Sequence, residues 1–146
     1  MKNRTIHPAE FKGWRPNMRD AALWQTILWA GLDENGEPLE KNHDMSSPWR
    51  EDMEKLQDQF YAWSDQADDI LIAGGCGHLS LDEILGDKAE HLYALVRDGH
   101  GVGMTDDWHP SRKEYRCCEA LERAAKDQGP IGAYVGDDGR VYLAFC

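Results

Sequence analysis

The sequence predicts an α+β domain in which a small antiparallel sheet, about four strands in two hairpins, packs against two or three helices. Three observations carry that prediction. Between Trp49 and Ile70 apolar residues recur in alternating steps of four and three, the period of one buried helix face. Around Gly136-Asp137-Asp138-Gly139 two short runs alternate apolar and polar, the pattern of a hairpin. Leu92 to Trp108 reads the same way around Gly99-His100-Gly101, with Gly101 and Gly103 leaving one face of its second strand bare.

At 146 residues the chain has the usual length of one domain, long enough to bury a sizeable core without a metal or disulfide staple. Residues 1–16 hold His7-Pro8, Gly13 and Arg15-Pro16, which break any regular period. They read as an extended arm, with Phe11 and Trp14 as anchors on a single domain formed by residues 17–146. Asn17 is placed to cap a first helix from Met18 to Leu32, in which Met18, Ala21, Ala22, Leu23, Trp24, Ile27, Leu28 and Ala30 fall at helical spacing. The turn Asp33-Glu34-Asn35-Gly36-Glu37-Pro38 stops it. Asp33, Asn35 and Glu37 alternate as calcium ligands do, but the glycine is displaced from the place an EF-hand loop requires.

Ser47 is placed to cap a second helix over residues 47–72, with Pro48 at the first helical position. Trp49, Met53, Leu56, Phe60, Trp63, Ala67 and Ile70 form its apolar stripe. The opposite face carries Glu51, Asp52, Glu54, Asp58, Asp65, Asp68 and Asp69, offset only by Arg50 and Lys55. A glycine-rich loop follows, then at most two helical turns opened by a capping box of Ser80 and Glu83. Beyond the Gly-His-Gly hairpin, Ser111 and Glu114 form a second box at the head of a helix from Arg112 to Gln128. Its apolar face is Tyr115, Cys118, Leu121, Ala124 and Ala125. In the last hairpin Val135, Val141, Leu143 and Phe145 are expected to face the helices.

The net charge of −11 is uneven: residues 1–20 carry +3, so residues 21–146 carry −14. Such a body repels nucleic-acid backbones, so direct nucleic-acid binding is not expected, and its electrostatic complement is a basic partner. No apolar run approaches the ~18 residues of a membrane span, and the N-terminus lacks the apolar core of a signal peptide. The expectation is a cytoplasmic protein with no membrane association. Cys76, Cys117, Cys118 and Cys146 lie in no metal-knuckle spacing and read as reduced, small core residues. No metal and no cofactor is expected.

Three blocks carry a resemblance: Leu95 to Trp108, the run Tyr134-Val-Gly-Asp-Asp-Gly-Arg-Val-Tyr142, and Ala22-Leu23-Trp24 followed by Asp33 to Leu39. In this order, covering most of residues 21–145, they resemble an uncharacterised family of small proteins encoded in bacteriophages and prophages. Members show a strand ending Arg-Asn-Gly-His-Gly-Ala-Gly-Phe-Trp-Asp and, later, a Tyr-Val-Gly-Asp-Asp-Gly-Lys-Ile-Tyr hairpin. Here Asp98 replaces the asparagine, Met104-Thr105 replace the aromatic pair, and residues 74–88 read as an insertion. The resemblance implies a phage or prophage source, hence the cytoplasm of a bacterial host, and no established activity.

Two sites compete. His100, oriented by Asp98, Asp106 or Asp107, has the makings of a general base or anion contact, which would place a small-molecule or nucleotide site, enzymatic or not, beside the hairpin. The same histidine also reads as a structural hydrogen-bonding residue in a tight turn. No serine or cysteine nucleophile is tied to it by a motif, and no phosphate-cradling loop leads into a helix there. The leading expectation is therefore non-enzymatic. The acidic face, with Glu51, Glu54, Asp58, Asp65, Asp68 and Asp69, would dock on the basic surface of a host protein, such as a nucleic-acid channel, and inhibit a host defence system or enzyme. A structural, oligomer-forming phage component is the third reading.

Overall fold

A computed structural model describes residues 18–99, 103–105 and 111–145. Among them run α1 (Met18–Ala30), a 3-10 turn (Leu39–Lys41), α2 (Arg50–Ala73), α3 (Leu81–Leu85), α4 (Ala89–Asp98), α5 (Arg112–Asp127), β1 (Ile131–Val135) and β2 (Val141–Phe145). The expected arm and Asn17 lie outside the described residues.

The stripe that begins at Trp49 becomes α2, the longest element. It buries Met53, Leu56, Gln57, Phe60, Trp63, Ala67 and Leu71, each apolar side chain contributing about 1.5–3 kcal/mol. Phe60 and Trp63 meet Tyr93 of α4 at ring-centroid distances of 5.2 and 5.0 Å, the offset and edge geometries that aromatic quadrupoles favour. The indole N–H of Trp63 donates to the carbonyl of Leu121 at 2.9 Å, so the same side chain ties α2 to α5.

The run from Leu92 corrects the expected first hairpin: it is the body of α4, not a strand. Every residue from Leu92 to Arg97 is buried, because α4 packs on α1, α5 and β1 at once. A run of six buried residues is too short to separate the helical period from strand alternation, so strand and helix both fit it. What decides is the ends. Glu90 sits in the first turn and Arg97 in the last, as the helix dipole favours, and Gly99 closes the helix in the left-handed conformation (φ 70°). Of the expected return strand, Gly103 to Thr105 form no strand but end in a turn, and residues 100–102 and 106–110 lie outside the described residues.

Two strands, not four, are therefore seen among the described residues: β1 and β2 pair antiparallel from Ile131 opposite Phe145 to Val135 opposite Val141. Val141 and Leu143 are buried, and Val135 and Phe145 pack partly buried against the same core. The mixed α+β class holds. Ser47 does not cap α2. Its carbonyl accepts from Val141 N at 3.0 Å and Trp49 N donates to Val141 O at 2.8 Å, so Ser47-Pro48-Trp49 lies along the free edge of β2 and the helix begins only at Arg50. The proline fits this bridge as well as it fits a first helical turn. Both reciprocal bonds of the box at Ser80 are present, and Ser111 accepts from the Glu114 N–H at 3.1 Å. Tyr115, expected in the core, is exposed, its place on α5 taken by Cys117.

Beyond the end of α1, Asp33 Oδ1 accepts from the N–H groups of Asn35 (2.8 Å) and Glu37 (2.9 Å), so the Asp33 carboxylate serves the turn, while the Glu37 carboxylate pairs with Lys41. Among the described residues no cluster of three or more His, Cys, Asp or Glu side chains is arranged to hold a metal ion. No helix among them is long and apolar enough to cross a membrane.

Candidate functional site

With one face of α2 in the core, helical geometry dictates what the other presents. At 3.6 residues per turn Glu51, Glu54, Asp58, Asp65, Asp68 and Asp69 fall within about 100° of one another around the axis. Glu51, Asp58, Asp65, Asp68 and Asp69 are exposed. Glu54 is half-buried and pairs with Arg50 at 3.8 Å. Lys55 stands over the Phe145 ring, 4.3 Å from its centroid, so its charge is drawn toward the sheet. Asp52 belongs to the fold: its carboxylate accepts from Leu143 N at 2.9 Å and pins the start of α2 to β2.

Two members of this surface are not evident from charge alone. Tyr61 is 39% exposed and Ile72 67% exposed, and both lie in the same sector as the carboxylates. The signal was present in the spacing: Glu54, Asp58, Tyr61, Asp65, Asp68 and Ile72 continue a four-three repeat on the outer face. From Glu51 to Ile72 the stripe is about 32 Å long at 1.5 Å per residue.

The Gly-His-Gly stretch is placed only in part. His100, Asp106 and Asp107 lie outside the described residues, and Asp98 is the half-buried last residue of α4. Its neighbours serve the fold. Arg97, 1% exposed, donates through Nε to the carbonyl of Gly129 (2.6 Å), through one terminal nitrogen to Tyr93 Oη (2.7 Å) and Gln128 Oε1 (3.1 Å), and through the other to Gln128 O (3.4 Å). Gln128 in turn accepts from Tyr93 Oη and donates to the carbonyl of Gln59. A guanidinium thus fastens the C-terminal end of α5, whose carbonyls carry the negative end of the dipole, to α4, and Gln128 extends the bonding to α2. At Gly103 the missing side chain leaves room for the Glu122 carboxylate of α5, which accepts from Met104 N at 2.7 Å. There the bare position receives a helix side chain.

The thiols of Cys76, Cys117 and Cys118 are buried and joined in no disulfide; Cys146 lies outside the described residues. Burial, with a hydrogen bond to Cys76, pushes Cys117 up to about 11, and burial with the neighbouring Cys117 and Glu114 pushes Cys118 up to about 12. Neither has the thiolate character of a nucleophile at neutral pH. The chain matches no family model, no curated protein and no solved structure. Function must therefore be argued from these surfaces.

Proposed function

We propose that the protein is a non-enzymatic binding protein that captures a basic protein surface with the outer stripe of α2. One observation carries this reading. Asp68 and Asp69 sit in the C-terminal third of the helix, toward the negative end of its macrodipole, and the last turn contains no basic residue to compensate. Aspartate is also a poor helix former. A solvated face selected for stability would carry lysine or arginine there. Carboxylates kept where they oppose the helix fit a surface whose worth lies in a partner.

Tyr61 and Ile72 complete the surface: an interface needs apolar anchors among its charges, and tyrosine is among the residues that dominate binding energy. Glu51, Asp58 and Asp65 recur at seven residues, about 10.5 Å, and suit an elongated cationic groove such as a nucleic-acid channel. The resemblance to phage-encoded proteins directs the same reading toward inhibition of a host enzyme. Charge reversal at Asp58, Asp65 and Asp69 to lysine is expected to abolish partner capture from a bacterial lysate while the far-UV circular dichroism stays unchanged. Capture undiminished by the triple reversal would sink this reading.

A further inference from the structure

The outer face of α5 repeats, in reverse order and with opposite charge, a pattern on the outer face of α2. Arg112, Arg116 and Arg123 are exposed, fall within about 40° of one another around the helix axis, and are spaced by four and then seven residues. Asp58, Asp65 and Asp69 are exposed, occupy a sector of the same width on α2, and are spaced by seven and then four. Each triplet spans about 16.5 Å at 1.5 Å per residue. Two such helices laid antiparallel bring Asp58 level with Arg123, Asp65 with Arg116 and Asp69 with Arg112. Glu119, the carboxylate within the arginine stripe, comes level with Ala62, so like charges do not meet there.

Within one copy the triplets cannot make this match. α2 and α5 share a core, tied by the bond from Trp63 to Leu121, and both triplets stand on the sides turned away from the buried residues. Among the described residues no carboxylate pairs with Arg112, Arg116 or Arg123, although the body carries a charge of −14; Lys126 of the same helix does pair, with Glu122 at 3.0 Å. Each helix also sets two like charges four residues apart, Arg112 with Arg116 and Asp65 with Asp69, an arrangement that opposes the helix by itself and is relieved when opposite charges face both members.

We propose that α5 of one copy docks antiparallel on the α2 stripe of a second copy through these three ion pairs. The contact joins unlike surfaces, and every copy carries both. Exposed ion pairs are individually weak, so the dissociation constant is expected at roughly 0.1–1 mM in low salt, which leaves dilute protein monomeric. The contact covers carboxylates assigned to a basic partner, so that partner must displace it, but the self-association does not rest on that assignment.

Sedimentation equilibrium of the purified full chain at about 0.5 mM tests the contact without a lysate. The parent is expected to associate in ~20 mM salt and to be monomeric in ~500 mM. Net charge alone dictates the opposite trend, because two acidic bodies repel more strongly as salt falls. One variant reverses α2 (Asp58→Arg, Asp65→Arg, Asp69→Arg) and another reverses α5 (Arg112→Asp, Arg116→Asp, Arg123→Asp); each alone is expected to associate at least about tenfold more weakly than the parent. Their equimolar mixture is expected to regain the association, since the reversed stripes then match each other and so do the unaltered ones. Both variants keep a net negative charge, so general attraction does not account for a restored complex, and its recovery shows that both are folded. A parent monomeric in low salt, association that strengthens with salt, a reversal variant that associates like the parent, or a mixture of folded variants that stays monomeric would each overturn the proposal. Polyglutamate bound by a monomeric parent, and not by the α5 variant, would instead give the arginines to a foreign acidic partner.

Discussion

Cys117 and Cys118 show how far a single residue can be read. That the cysteines are small core residues follows from their spacing, which fits neither a metal site nor a redox motif. That both adjacent thiols are buried does not follow, because neighbours on a helix point about 100° apart and only the packing shows how wide the buried face is. The shifted thiols make stability depend on pH with a definite sign. Their folded values, about 11 and about 12, exceed the ordinary 9, so between those limits the native state keeps protons that the unfolded chain releases. Their contribution is intact below pH 9 and is lost as pH rises toward the folded values. Tyr93, raised by burial, and Tyr142, raised to about 12 chiefly by its hydrogen bond to Asp138, add to the loss only above the ordinary tyrosine value of 10. Between pH 9 and 10 the thiols thus act first. Cys118→Ala is expected to lower stability by about 1 kcal/mol at neutral pH, through the small void, and to flatten the decline between pH 9 and 10. Urea unfolding across that interval checks it, and a decline as steep as in the parent protein would acquit Cys118.

Among the elements, those fixed by local chemistry were legible and those fixed by distant partners were not. Ser80 with Glu83 and Ser111 with Glu114 announce their helices because the bonded groups lie three residues apart. The extents of α2 and α5 follow from period, and the last hairpin from its turn. The segment Leu92–Arg97 is too short to declare helix or strand without the signals at its ends, Glu90 and Gly99, and Ser47-Pro48 reads as a helix start until the edge of β2 claims it. Arg97 is the clearest case, since its acceptors on Gln128 and Gly129 lie 31 and 32 residues away. Nothing near it in sequence distinguishes it from a surface arginine. Replacing it removes the donors to two carbonyls and to the Tyr93–Gln128 pair, so Arg97→Met is expected to cost about 3 kcal/mol. Arg97→Lys should recover less than half of that, because an ammonium cannot reproduce the planar fork. A loss below about 0.5 kcal/mol in Arg97→Met, measured by urea denaturation, would show that the three helices do not depend on this fastening.

For the whole molecule, the sequence already separates an acidic body from a basic first segment, and it places most of the candidate carboxylates. It does not reveal that Asp52 is spent on the sheet, that Lys55 turns toward Phe145, or that Tyr61 and Ile72 remain outside. Each depends on how α2 lies against β2 and α5. The consequence is a surface whose charges are nearly uncompensated. Asp58, Asp65 and Asp69 share one sector of one helix, and Asp69 lies toward the negative end of its dipole, within a body of charge −14. Folding them together is work against repulsion, in amounts of roughly 0.3–0.5 kcal/mol per like-charged pair or dipole contact. The triple substitution to asparagine keeps side-chain volume and removes the charge. It is therefore expected to raise unfolding stability by about 1 kcal/mol at low ionic strength, with the gain fading as salt screens the parent protein. The same variant should lose partner capture, and loss of capture with gain of stability is the signature of residues held for binding against the interest of the fold. If the asparagine variant unfolds at the same urea concentration as the parent at low salt, the stripe imposes no such burden. The argument that its carboxylates persist for a partner then fails.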